Sequence, residues 1–401
     1  MYTTNSIARP DRPVVLVTLL SLLALSLFLQ REFHTRQAML FLIGVGLGIA
    51  LLHATFGFAG GWRRLIRKRR GASVRSQILL LALTSVLFFP ILGHLFPHIN
   101  VQGAVAPAGV SVLVGAFLFG IGMQLGGGCG SGTLFAVGGG QVPMLVTLAF
   151  FIVGATIGSA HLHWWLVLPS LGSISLIDLL GWGPALLTQF VFLALLYSLV
   201  LILERSRHGE PEAMYPSTTP RKVFSERLIA GPWPLLWGVV GLAVLNLLTL
   251  LIAGHPWSIT FAFGLWGAKI WSAIGGDVAS WPYWSSGYPS IALTRSVLAD
   301  HTSVMDFGVV IGAVLAAGLA GKFAPEGRAT RQRLLAGVVG GLLLGYGARL
   351  AFGCNIGALL AGIASGSVHG WLWLVAGFSG TLLGVQLRVR MRLDPPLRKS
   401  H

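Results

Sequence analysis

Two side chains stand out for the chemistry they offer: Cys129 and Cys354, the two cysteines of the chain. Each sits in a glycine-rich break within an apolar run, Gly126–Thr133 (GGGCGSGT) and Phe352–Leu359 (FGCNIGAL). Laying GIGMQLGGGCGSGTL, from Gly120, over GYGARLAFGCNIGAL, from Gly345, gives a constant offset of 225 residues that carries Cys129 onto Cys354. Gly120, Gly122, Leu125, Gly128, Gly132 and Leu134 fall on like residues in the same register. An internal duplication, with one broken helix and one thiol per half, accounts for that register.

A thiol is a weak, polarisable donor and acceptor, poorly matched to phosphate or sulfate but tolerant of a solute with terminal sulfur. The neutral form is expected, because a thiolate would repel an anion. Gly128, Gly130 and Gly353 beside the cysteines let each helix unwind and leave room for a solute to approach the backbone. A helix restarting at Gly130 or Asn355 aims free N–H groups and a positive dipole end at the break, an arrangement suited to an anion. A lone buried cysteine is ordinarily just a small hydrophobe. Duplication and glycine flanks favour the functional alternative here. A disulfide between the two would need the repeat symmetry to bring them together.

Arg349 lies five residues before Cys354, opposite Gln124 in the repeat. A charge that deep in an apolar run is costly and is commonly functional. It is expected either to hold the anion or to pair with backbone carbonyls or a carboxylate, with Asp178, Asp277 and Asp306 as candidates. No nucleophile–base–acid set, Walker loop or metal-ligand cluster accompanies these residues, so no catalytic residue, metal or cofactor is assigned and the chain is not read as an enzyme.

The elements that must position these groups are membrane helices. The chain is 54% hydrophobic and 10% charged, with a mean hydropathy of +0.78. Apolar runs of roughly 20 residues, enough to cross a hydrocarbon core, recur along its length. At that depth the backbone must satisfy its own hydrogen bonds, which selects helices. The expected fold is all-α: a polytopic membrane protein with an inverted internal repeat whose two Gly-Cys elbows meet near the bilayer midplane. Residues 1–401 form one membrane domain, with a first half at 14–204, a cytoplasmic linker at 205–230 and a second half at 231–392.

The formal charge of +16 collects in loops: Arg63, Arg64, Arg67, Lys68, Arg69, Arg70 and Arg75; Lys322, Arg328, Arg331 and Arg333; and Arg388, Arg390, Arg392, Arg398 and Lys399. That placement follows the positive-inside rule, allows contact with anionic membrane lipid and lacks the aromatic platform expected for nucleic acid. Arg9 and Arg12 precede an apolar run from Val14 to Leu29 that reads as a retained first span rather than a cleaved leader. A second run covers Ala38–Gly60, with His53 inside it as a packing residue. His161, Trp164 and Trp165 are interfacial anchors, and Pro211, Pro216 and Pro220 mark the linker. Val110–Leu125 travels inward and Leu334–Leu350 outward, so the elbows enter from opposite faces. Phe263–Lys269 (FGLWGAK) faintly echoes Phe56–Arg63 (FGFAGGWR). The span count through Trp257–Thr302 closes only with one re-entrant or tilted segment.

GIGMQLGGGCGSGTL, GYGARLAFGCNIGALLAGIASGSVHG and FGFAGGWRR together resemble the YeeE/YedE family of bacterial inner-membrane proteins, which includes thiosulfate transporters. The resemblance spans both halves. It implies uptake of thiosulfate or a related sulfur anion, with Cys129 and Cys354 handing the ion on by S–H contacts. Family transporters of this type carry a third pathway cysteine near the first repeat, where Phe58, Ala59 and Gly60 stand here. The expected function is therefore transport of a small sulfur-containing anion across the inner membrane, with the C-terminus cytoplasmic. Two alternatives from other classes stand beside it: a membrane thiol-redox or persulfide-carrying protein, and a membrane subunit that docks a soluble sulfurtransferase through its basic loops.

Overall fold

A computed structural model describes residues 10–214, 224–323 and 330–394. Arg9, Pro216, Pro220, Arg328, Arg398 and Lys399, used above, lie outside the described residues. The first half contains α1 (Arg12–Phe33), α2 (Thr35–His53), α3 (Phe58–Lys68), α4 (Ala72–Leu92), α5 (Val110–Leu125), α6 (Gly130–Gly138), α7 (Pro143–Leu166), α8 (Leu176–Leu180) and α9 (Trp182–His208). The second contains α10 (Phe224–Ala230), α11 (Leu235–Ala253), α12 (Thr260–Ala273), α13 (Gly287–Thr294), α14 (His301–Leu319) and α15 (Arg331–Leu350). A π-helical turn, Asn355–Leu360, then runs into α16 (Ala361–Ala364), and α17 (Val368–Arg390) is the last helix among the described residues. A short antiparallel pair, β1 (Pro107–Gly109) with β2 (Ser170–Ser173), ties two loops.

Among the described residues, ten helical stretches are long and apolar enough to cross a membrane. Exposed side chains say what surrounds them. α1 shows Leu16, Leu20, Leu23 and Leu27 on its surface, and α9 shows Leu187, Val191, Leu195 and Ile202. A soluble domain rarely exposes apolar stripes of this extent; hydrocarbon makes them neutral. This is an all-α polytopic membrane protein.

Its interior is built on close backbone contact, as expected where lipid gives helices no hydrophobic reason to associate. α5 packs on α15 and α17, and α15 packs on α7. A Cβ on Gly115 would lie 2.7 Å from the Gly347 carbonyl oxygen, and one on Gly122 would lie 2.8 Å from that of Gly340. Under the offset of 225 residues, Gly115 is the counterpart of Gly340 and Gly122 of Gly347, so the partners are exchanged across the contact. α5 and α15 therefore run antiparallel about a pseudo-twofold axis, which is the inverted repeat. The rest of the bundle follows: α3 touches α4, α5 and α17, while α12 touches the counterparts α14, α15 and α7.

Three expectations change. The apolar run Ala38–Gly60 is not one unbroken helix: the helix ends at His53, turns through Ala54–Gly57 and restarts at Phe58. The faint FGFAGGWR/FGLWGAK echo is a structural equivalence, because α3 and α12 hold matching places. The unplaced segment within Trp257–Thr302 begins with α12, which starts beside the second elbow, and ends in α13.

Candidate functional site

Both cysteines occupy the residue before a restarting helix, in nearly the same conformation: φ −87°, ψ −167° at Cys129 and φ −99°, ψ −165° at Cys354. That extended geometry needs a sharp approach. Gly127 supplies it with φ +86°, and Gly353 with φ +149°, a region that L side chains rarely adopt. Each restart is then fastened by the cysteine carbonyl, which accepts from Thr133 N at 2.8 Å in the first elbow and from Ala358 N at 2.9 Å in the second. The Thr133 hydroxyl adds a second bond to the Cys129 carbonyl at 2.8 Å. The Cys354 sulfur accepts from Ile356 N at 3.4 Å, and the Cys129 sulfur lies 3.5 Å from the Ser131 hydroxyl. Both thiols are free.

The repeat brings the two elbows together. A Cβ on Gly130 would sit 3.1 Å from the Cys354 sulfur and 3.4 Å from the Ile259 side chain. Backbone groups of Phe58 and Gly132 face the Cys129 sulfur. The starts of α3, α6, α12 and the π-helical turn thus gather around two thiols, and helix starts carry unpaired N–H groups and partial positive charge. Such a centre favours an anion without placing a full charge in the bilayer.

The thiols differ in access. A cavity of about 630 Å³ reaches Gly127, Gly128, Cys129 and Gly132. Its other walls are the α2–α3 turn and the start of α3, and its rim carries Arg63, Arg64 and Glu212. Arg64 is bonded to Glu212. Cys354 does not line that cavity and is 0% exposed, shut behind Gly130. The cavity reaches from the basic end to the wall that holds the first thiol, which is itself buried at 1% exposure, and it does not reach the second.

Asn355 is 0% exposed, and neither its amide nitrogen nor its amide oxygen has a hydrogen-bond partner. A buried amide without partners costs a few kcal/mol unless something else satisfies it. The indole nitrogen of Trp257 and the amide nitrogen of Asn246 are likewise buried without acceptors. Trp257 was not legible as a site residue: its cue was only the Trp- and Pro-bearing break before α12. Asn246, a lone amide inside an apolar helix, was the readable signal and was missed.

Arg349 stands apart from the thiols. It packs against Gly158 and Gly264, donates from Nη1 to the Tyr283 hydroxyl, and lies over the Tyr283 ring at 4.4 Å from its centre. Tyr283 takes the place expected for Asp178, Asp277 or Asp306, and an aromatic face stabilises a guanidinium without cancelling its charge. The repeat counterpart Gln124 reaches the equivalent helix, donating to the Ala59 carbonyl at 3.1 Å. Of the residues singled out from sequence, Cys129, Cys354, Gly128, Gly130, Gly353 and Asn355 are drawn into one centre, while Arg349 lies apart from it against Tyr283.

With this geometry in view, comparison with known proteins is informative. A family model described as "Sulphur transport" matches residues 53–383. The chain belongs to this family. Both elbows, the α2–α3 turn and α12 fall inside the match. The thiosulfate transporter TsuA of Spirochaeta thermophila is 25% identical over 353 residues, covering 82% of this chain and 92% of that protein. The thiosulfate transporter TsuA of Escherichia coli is 24% identical over 342 residues, covering 83% and 89%. The probable transporter YedE of Escherichia coli is 29% identical over 154 residues, so this chain spans little more than a third, 37%, of that relative's length.

Proposed function

We propose that this family member carries thiosulfate, or a closely related small sulfur-containing anion, into the bacterial cell across the inner membrane. The observation that carries the reading is the gathering of four helix starts around two free, buried thiols at the exchange point of an inverted repeat. Helix starts supply amide donors for the oxyanion end of such a solute, and a soft thiol suits its terminal sulfur. The names of the two TsuA relatives, each matched over most of its length, point to the same substrate class.

In this reading Cys129 meets the anion in the open cavity and Cys354 meets it once Gly130 moves aside. Gly128, Gly130 and Gly353 keep the path free of side chains, and Asn355 offers its unpartnered amide at the second elbow. Arg349 holds positive charge on the closed side, with the basic loops facing the cytoplasm and the halves 14–204 and 231–392 rocking about the shared axis. Each step is binding and release, with no covalent chemistry.

Uptake of labelled thiosulfate by proteoliposomes tests this. Flux above empty liposomes that falls in Cys129→Ala and Cys354→Ala is the expected result. Flux equal to empty liposomes would refute it.

A further inference from the structure

Asp306 lies inside α14, is 0% exposed, and neither of its carboxylate oxygens has a hydrogen-bond partner. Its neighbour Asp300 shows the contrast: that carboxylate accepts from Ser303 N at 2.8 Å, from the Ser303 hydroxyl at 2.7 Å and from the Tyr288 hydroxyl at 2.7 Å. Asp300 is a satisfied helix cap. Asp306 satisfies nothing local.

Its direction follows from the helix it sits on. Asp306, Val310 and Ala313 follow the i, i+4, i+7 spacing of one helical stripe. Val310 and Ala313 touch Gly138 of α6. Ser303 and Phe307, on the adjoining stripe, touch Trp266 of α12, through a 2.9 Å hydrogen bond and a ring stack at 5.1 Å. The opposite face packs on α2, where Gly44 and Gly48 meet the Met305 and Val309 carbonyls. Asp306 is thereby placed on the face of α14 that packs against α6 and α12, two of the helices that start at the thiols.

Among the described residues, the ionisable groups on the elements packed against α14 give this carboxyl no counter-charge, and Asp300 on the same helix start is of like sign. α6 carries none. On α12, Lys269 is committed to the Leu293 and Arg295 carbonyls. On α2, Arg36 binds the Ile252 and Ala253 carbonyls and His53 approaches the Ile229 carbonyl. The charges of α1, Arg12, Arg31 and Glu32, sit near its ends, and Glu226 and Arg227 lie on the short α10. On its own helix, His301 occupies the first position and stacks on His255.

We propose that Asp306 is a proton-coupling site, taking up a proton as the anion reaches the second elbow and releasing it when the anion leaves. This rests on the transport reading above. A bare carboxylate beside the path would repel a dianion, whereas the carboxylic acid has no such penalty and can donate a hydrogen bond. Binding of anion and proton is then mutually favourable, and that linkage couples their movement.

The test uses proteoliposomes in a weakly buffered medium, read in two ways. Wild-type protein is expected to alkalinise the outside as thiosulfate enters, and to accumulate roughly tenfold more thiosulfate per pH unit of inward acid gradient. Asp306→Asn is expected to lose gradient-driven accumulation, and Asp306→Glu to restore it. The wild-type alkalinisation needs no variant, so a poorly folding Asp306→Asn does not spare the idea. Wild-type net uptake of thiosulfate without alkalinisation, accumulation that follows a sodium gradient instead, or a proton-driven Asp306→Asn would each overturn the proton site alone. Absence of wild-type counterflow would overturn the transport reading, and this site with it.

Discussion

The sulfur of Cys354 rests against Gly130, the residue that follows Cys129, with 3.1 Å between it and the point where a Cβ would stand. One thiol is thus shut off by the backbone that presents the other. Gly130→Ala adds a methyl at a distance where the sulfur must give way by a few tenths of an ångström. Thiosulfate uptake in this variant should fall severalfold while its thermal midpoint in detergent stays near wild type, which separates closure from misfolding. Flux in Gly130→Ala equal to wild type would show that the passage does not run through this contact.

Access separates the thiols chemically. Cys129 borders the cavity open at the basic end and Cys354 does not. A small uncharged thiol reagent is expected to label Cys129 at least several times faster, read by mass spectrometry of the intact protein. Addition of thiosulfate should slow labelling of Cys129. Equal rates at the two positions would contradict the closed state described here.

Arg349 is held by an aromatic face instead of a carboxylate. Its charge is therefore available, and Arg349→Gln should raise the half-saturating thiosulfate concentration by roughly tenfold, the scale of one charge-assisted contact of about 1.4 kcal/mol. Tyr283→Phe, which keeps the ring and loses the hydroxyl, should have a smaller effect. An unchanged half-saturation in Arg349→Gln would make this arginine a packing residue.

The glycine pair at the pseudo-twofold axis predicts a stability effect. A Cβ on Gly347 would lie 2.5 Å from the Gly115 carbonyl oxygen, a collision between two backbones that no rotamer can relieve. Gly347→Ala should cost about 1–3 kcal/mol and lower the thermal midpoint in detergent. Gly183→Ala, in α9 with open space around the same position, should leave it unchanged or raise it.

The basic end holds one carboxylate that reports acid sensitivity. Arg388 grips Asp394 with two contacts of 2.9 Å, and Arg67 adds a third at 3.1 Å. The Arg388 hydrogen bonds hold the Asp394 carboxyl below its usual range. A folded-state value lower than the unfolded one means the contribution is complete above about pH 4, the ordinary aspartate range, and is lost as pH falls through the lowered value. Asp394→Asn should lower the thermal midpoint at neutral pH, and the difference from wild type should close on acidification.

Much of this protein was written in local chemistry. Mean hydropathy and apolar run length require membrane helices, because a backbone in hydrocarbon has no other way to satisfy itself. The constant register from Gly120 to Leu134 against Gly345 to Leu359 carries the duplication, and glycine beside each cysteine marks where the helices break. Antiparallel pairing of the halves could be inferred from where the arginines lie, since charge sets the side on which a loop stays.

Depth and neighbourhood were decided only by the tertiary structure. The break after His53 is only faintly marked: Thr55 and Gly57 are its local cues, and the chain turns there with Thr55 at φ +49°. Tyr283 reaches Arg349 from 66 residues away, beyond any local pattern. That the cavity borders Cys129 and not Cys354, and that Asp306 lies on the α14 face toward α6 and α12, depends on which glycine faces which carbonyl across two helices. Sequence specifies the types of group at each position; the distance between groups far apart in the chain exists only once the two halves have closed on their shared axis.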